Sequence, residues 1–263
     1  NVVLKERFVQ VFDQIYEEKN ISIDDTNIVG IFPIDDENYI VFSHAYNLGI
    51  VTFIDKLGNI DETKNFLLSD NEGDLIQIIK IIETKDNNYF ILGRNEAENS
   101  SLLIIIDKNG EVLSQASFEN LDVVFDVTEY QVNNFILTDG TKLFYCEGTN
   151  YQDTINIETT IDNLDSLSNG SIVTYSNDTD KAYINITDFE EKILAEVNLI
   201  DMFIQDNKII LVGNITNSNL GCIYIMNQEG IIITSKTYDD SFKDVNLVSN
   251  YLMVVFENNG IST

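Results

Sequence analysis

Tryptophan is missing from this chain of 263 residues, and proline, histidine and cysteine are nearly so: one Pro (Pro33), one His (His44) and two Cys (Cys146, Cys222). Each scarcity excludes something. One His and two distant cysteines cannot supply the four soft ligands of a structural zinc. Two cysteines in a chain of this length do not make a disulfide framework. A single His allows at most one Ser–His–Asp set, and no Gly-x-Ser-x-Gly elbow, Gly-x-Gly-x-x-Gly fingerprint or phosphate loop is present. Positive charge is also scarce: 15 Lys+Arg stand against 44 Asp+Glu, a formal net charge of −29. Such a surface repels phosphate, so nucleic acid and anionic lipid are not expected partners. Apolar runs such as Leu102–Ile106 have strand length, far short of a membrane-spanning helix. The chain begins at Asn1 rather than Met, which leads us to expect a processed chain or a domain of a larger one.

What is abundant is repetition. Short segments recur with the form polar, aromatic or apolar, then an apolar run: Asn38-Tyr-Ile-Val-Phe, Asn88-Tyr-Phe-Ile-Leu, Asn134-Phe-Ile-Leu-Thr, Gly170-Ser-Ile-Val-Thr, Lys208-Ile-Ile-Leu-Val and Asn250-Tyr-Leu-Met-Val. They are 36 to 50 residues apart. After each of the first five comes a second unit, an apolar run, a polar turn and another run. Its clearest copies are Ile50–Ile60, Leu103–Leu113 and Ile223–Ile233. Asn109-Gly110 and Asp139-Gly140 are hairpin turns by composition, because Asn, Asp and Gly tolerate positive φ. An Asp precedes each unit: Asp25, Asp74, Asp122, Asp162, Asp201 and Asp244. Four short strands in about 42 residues is the size of a propeller blade.

Ordered in this way, the units resemble the bacterial β-propeller repeats known as the SBBP type, found in surface and secreted proteins. Gly93-Arg94 and Gly213-Asn214 match that pattern's Gly after the second strand. Asp55-Lys-Leu-Gly58 and Asp107-Lys-Asn-Gly110 match its third-strand turn. The resemblance implies the fold and no particular activity. The expected architecture is an all-β fold, a single β-propeller of six four-stranded blades over residues 28–70, 75–120, 122–160, 162–200, 201–240 and 244–256 plus 8–23. In the last blade an N-terminal hairpin within residues 8–23 completes the C-terminal hairpin, which leaves no open edge. The competing local reading of that segment is a helix, because Phe8, Val11, Phe12, Ile15 and Tyr16 form a helical stripe. Ring closure favours the hairpin.

Propeller ligands bind at the channel mouth, and aligning the blades puts His44, Arg94, Asp139, Ser176, Asn214 and Glu257 in the loops after the second strands. His44 and Arg94 on neighbouring blades, with Asp139 and Asn214, are ligand-binding candidates, Arg94 as a bidentate donor to an anion. Their bland alternative is ordinary loop residues. The pre-strand aspartates Asp25, Asp74, Asp122, Asp201 and Asp244 are weak candidates for a Ca²⁺ site. Their repetition, one per blade, favours a turn-capping role instead. Asp70, Glu72 and Asp74 resemble an EF-hand loop only superficially. Six Asn-x-Ser/Thr triplets, Asn177 and Asn214 among them, are about what this Asn-rich composition gives by chance.

Function is expected to be non-catalytic: a scaffold that binds a protein partner or takes part in structural assembly, without cofactor and without membrane insertion. The expected place is outside the cytoplasm, on a bacterial surface, secreted or in a virion; a cytoplasmic location stays open. The alternative is a six-bladed Ca²⁺-dependent hydrolase or lactonase with its site at the channel mouth. Cys146 and Cys222 fall on third strands two blades apart and should be unpaired. Ile40, Phe42, Phe90, Leu92, Ile136, Ile172, Leu211 and Val254 are the expected core.

Overall fold

The computed structural model describes residues 27–45, 48–69, 73–95, 100–118, 124–157, 160–248 and 251–256. Among these residues, runs rich in Ile, Val, Phe and Tyr form strands, and Asn, Asp and Gly break them. That partition follows from the side chains: branched and aromatic residues suit a pleated, half-buried surface, and turn residues accept the φ values that strands exclude.

The first sheet contains β1 (Asn27–Pro33), β2 (Asn38–Ala45), β3 (Leu48–Asp55) and β4 (Phe66–Leu67). The second contains β5 (Gln77–Glu83), β6 (Tyr89–Asn95), β7 (Ser100–Ile106) and β8 (Val112–Phe118). The third contains β9 (Asp126–Gln131), β10 (Asn134–Thr138), β11 (Lys142–Glu147) and β12 (Asn150–Asn156). The fourth contains β13 (Asn163–Ser166), β14 (Ile172–Asp178), β15 (Lys181–Ile186) and β16 (Lys192–Ala195). The fifth contains β17 (Val197–Gln205), β18 (Lys208–Ile215), β19 (Gly221–Met226) and β20 (Ile232–Tyr238), and the hairpin β21 (Phe242–Val248) with β22 (Tyr251–Phe256) follows. Every sheet is an antiparallel meander in chain order.

First strands touch first strands in succession: β1 meets β5, β5 meets β9, β9 meets β13, β13 meets β17 and β17 meets β21. The first strand of each sheet is therefore innermost and the fourth lies at the rim, which is a β-propeller. The sheets are its blades. The expected pairing of residues 8–23 with the β21–β22 hairpin lies outside the described residues.

Alternation along each strand sends one set of side chains to the preceding blade and the other to the following blade. Tyr89, Ile91 and Ile104 pack on Ile40, Phe42 and Phe53 of blade 1, with Phe32, Phe42 and Tyr89 in mutual ring contact at 5.3–5.8 Å. Phe90, Leu92 and Leu103 pack on Val127, Phe135 and Leu137 of blade 3, and the Phe90 and Phe135 rings lie 4.1 Å apart. Tyr175 and Ile184 pack on Met202 and Leu211. Of the expected core, Ile40, Phe42, Phe90, Leu92, Ile136 and Leu211 are buried. Ile172 is only half-buried, because β14 starts there and Val173 takes the inward position. The Val254 side chain lies outside the described set.

The third-strand turn that repeats in sequence has one physical cause. Asp55 Oδ1 accepts from the backbone N–H of Leu57 and of Asn59, both at 2.8 Å. Asp107 does the same for Asn109 and Glu111 at 2.8 Å, and Asn227 for Glu229 and Ile231 at 3.1 and 2.8 Å. Between the two bonded amides stands Gly58, Gly110 or Gly230 at φ 79°, 87° and 75°, where a Cβ would be strained. Burial pulls the Asp107 carboxyl upward, but the donors of Glu111 and Asn109 outweigh it and hold it below the usual range.

Candidate functional site

Near the axis, the structure aligns the inner strands by register. Gly30, Lys80, Asp126, Asn163 and Asp201 stand opposite Phe42, Leu92, Thr138, Tyr175 and Val212, equivalent points on the second strands of blades 1 to 5. From blade 2 onward these side chains join one blade to the next. The Lys80 ammonium pairs with Asp126 Oδ1. Asp126 Oδ2 accepts from the Leu164 N–H at 2.8 Å, and Asn163 Nδ2 donates to Asp201 Oδ1 at 3.0 Å. One line of polar contacts thus runs through blades 2, 3, 4 and 5. Asp126 is 3% exposed, a buried charge that persists because it is both paired and hydrogen-bonded.

A second layer joins blades 3 and 4. Thr128 Oγ1 lies 3.3 Å from Asp165 Oδ1 and 3.1 Å from Ser166 Oγ, and Ser166 Oγ donates to the Glu129 carbonyl at 2.9 Å. Glu129 is 5% exposed; it accepts from the backbone N–H of Lys85 in blade 2 and, at 2.8 Å, from that of Asn133. Burial pushes the Asp165 carboxyl up to about 6. Asp126 adds to that rise, while the Ser166 N–H, the Lys80 charge and the Thr128 hydroxyl oppose it.

The candidates read from sequence lie elsewhere. Asn214, on β18, donates through Nδ2 to the Phe242 carbonyl at 2.8 Å and accepts at Oδ1 from the Phe242 N–H at 2.7 Å. The side-chain amide acts as a peptide group bridging blade 5 to β21. Asn177 does the same to Leu199, at 3.0 and 2.8 Å. The structure therefore gives blade 4 Asn177 at this point, one residue beyond Ser176, because a longer turn before Ile172 shifts the register. Tight packing accompanies these bridges: a Cβ on Gly213 would come within 2.4 Å of the Asn198 carbonyl oxygen, and one on Gly221 within 2.5 Å of the Phe242 ring.

Asp139 caps its own β10–β11 turn, accepting at Oδ1 from the N–H groups of Thr141 and Lys142 at 2.8 Å. His44 closes β2, with Nε2 3.5 Å from Asn27 Nδ2 and with a buried Nδ1 that has no hydrogen-bond partner. Arg94 is the next-to-last residue of β6, its backbone opposite Gln77 and Ser101. These four residues are spread over blades 1, 2, 3 and 5.

The pre-strand aspartates do not all share one structural position. Asp201 and Asp244 do, each on a first strand just past a bulge and two residues after the residue that an Asn bridges; Asp74 is exposed ahead of β5. Asp162, exposed, accepts from the N–H and Nδ2 of Asn177 at 2.7 and 3.1 Å. Asp25, Asp122, Asp70, Glu72 and Glu257 lie outside the described residues. Among the described residues no three His, Cys, Asp or Glu side chains are grouped to hold a metal ion. Sequence reading missed Lys80, Asp126, Asn163 and Asp165. Inner strands bulge between Ile78 and Lys80 and between Leu199 and Asp201, and a bulge breaks the count from the preceding Asp.

Two grooves open between blades where the third-strand turns lie. One, of about 380 Å³, is lined by Asp35, Asp55, Asp61, Lys64 and Lys108; the other, of about 370 Å³, by Asn88, Ser114, Asn133 and Glu147. Carboxylates of the first groove are already engaged: Asp35 and Asp61 are held below the usual carboxylate range by the side chains of Asn38 and Thr63 respectively.

The rim differs in kind. Fourth strands and their turns expose large apolar side chains: Val112 and Leu113 in blade 2, Ile193 in blade 4, and Ile231, Ile232 and Ile233 in blade 5. Cys146 on β11 and Cys222 on β19 are free and buried.

No protein-family profile and no curated protein matches the sequence, so the resemblance to SBBP-type repeats holds at the level of the fold. Solved structures match over most of the chain. A streptogramin B lyase aligns with a TM-score of 0.58 and 15% identity, covering 85% of this chain and 72% of that one. BBS1N, in a complex with ARL6DN, aligns with a TM-score of 0.57 and 12% identity, covering 87% and 74%. A catalytically inactive histidine variant of virginiamycin B lyase from Staphylococcus aureus, with quinupristin, aligns with a TM-score of 0.51 and 14% identity, covering 92% and 95%. At these identities the likeness is one of fold.

Proposed function

We propose that this chain is a non-catalytic β-propeller platform that binds another protein through its outer rim, outside the cytoplasm on a bacterial surface, in secreted material or in a virion. The observation that carries the reading is the row of exposed apolar side chains on the fourth strands of a chain whose net charge is −29. Charge keeps such a chain soluble, so exposed Val, Leu and Ile at recurring rim positions call for a binding reason. The inner ring supports the same reading, since Lys80, Asp126, Asn163 and Asp201 are engaged in blade-to-blade bonding. A structure with the same fold, BBS1N, is in a complex with another protein, ARL6DN, which supports the reading.

The test is cross-linking in the native source with three forms of the chain: the natural one, a rim variant (Leu113→Glu, Ile193→Glu, Ile233→Glu) and an inner-ring variant (Asp201→Asn). The expected result is a defined cross-linked protein partner that the rim variant loses and the inner-ring variant keeps. The opposite pattern sinks the platform reading. So does stoichiometric Ca²⁺ that survives dialysis and whose removal abolishes a hydrolytic activity, which would establish the hydrolase or lactonase alternative.

A further inference from the structure

We propose that the outer edge of blade 5, strand β20, is the docking strand of this platform, and that it takes an extended, basic segment of the partner by strand addition. The proposal rests on the platform reading and narrows it to one edge and one partner chemistry.

Among the described residues β20 pairs only with β19, so its other side presents a row of backbone N–H and C=O groups that no described strand takes up. Natural edge strands are normally protected, and the other rims of this molecule are. β4 has two residues and β16 four, too short to template a partner. β12 reads Asn-Tyr-Gln-Asp-Thr-Ile-Asn, with Asp153 at its centre. β8 is tied down along its length: Ser114 Oγ lies 2.5 Å from Thr149 Oγ1, Gln115 Nε2 donates to the Ser69 carbonyl at 3.3 Å, and Phe118 packs edge-on against Tyr151.

β20 is held at its last residue, where the Tyr238 ring packs on Phe242 at 5.3 Å, and the residues before it are exposed. It runs seven residues, of which the first six are exposed on both faces. A bulge at Ile233 ends the regular ladder, so Thr234–Thr237 forms a four-residue exposed edge and Ile231, Ile232 and Ile233 form an apolar step at its end, 58%, 46% and 56% exposed. The single charge within the strand, Lys236, does not guard the edge. Its ammonium lies 4.7 Å from the centre of the Tyr238 ring, over the strand's own face.

Charge chooses the occupant. The edge is bracketed by exposed carboxylates, Glu229 before it and Asp239 and Asp240 after it. A second copy of the chain, itself at −29, is repelled from such an edge. A segment with alternating apolar residues and Lys or Arg at both ends satisfies the backbone groups, covers the three isoleucines and pairs with the flanking acids.

The probe is a synthetic nine-residue peptide of alternating Val and Thr with two Lys at each end, compared with the same peptide ended in Glu. Binding is followed by fluorescence anisotropy at two salt concentrations, and contacts by backbone amide hydrogen exchange. The expected results are binding of the Lys-ended peptide at least tenfold tighter than the Glu-ended one, weakening in salt, and new protection at residues 234–237. The Ile232→Lys, Ile233→Lys variant should lose binding at least tenfold, with its melting curve checked for an intact fold. Equal affinity for both peptides, absence of binding, or chain dimerisation through β20 in sedimentation would overturn the proposal. Protection on another blade's fourth strand would also overturn it while leaving the platform reading in place. The platform reading itself is decided separately, by the cross-linking pattern of the rim and inner-ring variants and by the Ca²⁺ test.

Discussion

The seam between blades 2 and 3 and the seam between blades 3 and 4 use the same inner, second and third strands, yet they hold by different physics. At the first, Phe90, Leu92 and Leu103 meet Val127, Phe135 and Leu137 in a dry cluster that makes up most of the seam, with the Lys80–Asp126 pair and the Lys85–Glu129 bond beside it. At the second, Asp126, Thr128 and Glu129 meet Leu164, Asp165 and Ser166 through hydrogen bonds. A dry seam draws its strength from apolar area and responds to lost volume. The polar seam draws its strength from satisfied groups, and responds to protonation and to lost partners. The propeller plan tolerates both, because each blade needs only a neighbour that fits its face.

The comparison breaks most sharply under truncation. Leu92→Ala at the dry seam, where Leu92 is 0% exposed, should cost about 2–5 kcal/mol by chemical denaturation. A cost below about 1 kcal/mol would show that the blade 2–3 packing is misassigned. The amide bridges come next. Asn214→Ala leaves the Phe242 N–H and carbonyl without their partner, and should cost about 1–3 kcal/mol, with Asn177→Ala comparable. If either variant is as stable as the parent, the peptide-like bridge is not structural. Because both side chains are committed to these bridges, neither Asn is available as a glycan acceptor in the folded chain.

The polar seam should show itself in pH. Asp165 titrates near 6 in the folded protein against an ordinary value of 3.8. The folded state therefore holds a proton there that the unfolded chain has released, and this group's contribution to stability is lost as pH rises from 3.8 through about 6. Asp165→Asn should remove that component. The melting temperature of the parent minus that of the variant should fall between pH 4 and pH 7, and a flat difference would refute the assignment. The smallest effect is at the thiols. Burial pushes Cys146 up to about 12 and Cys222 up to about 11, so a thiol reagent at pH 8 should label neither in the native state and both in denaturant.

Much of the fold was legible because strands advertise themselves twice, by alternation and by turns. Asp107-Lys-Asn-Gly110 marks a turn because an Asp side chain caps the two amides around a left-handed Gly, a purely local interaction. The free cysteines were legible for a similar reason, since their strand positions could be counted. The inner ring was not. Lys80, Asp126, Asn163 and Asp201 are different residue types, and bulges in β5 and β17 carry them to one register. Asp162 and Asp201 look equivalent in sequence, but one caps an amide at a blade end and the other accepts from Asn163 across a seam.

Composition and local pattern, then, determined the strands, the turns, the order of the blades and the net charge, because each depends on composition or on residues within a few positions of one another. Which polar groups meet across a seam, which asparagines replace a peptide bond between blades, and which edge strand lies bare were decided only when the sheets packed around one axis. Those contacts join residues 22 to 46 positions apart. At that separation a register shift of one residue turns a side chain to the opposite face.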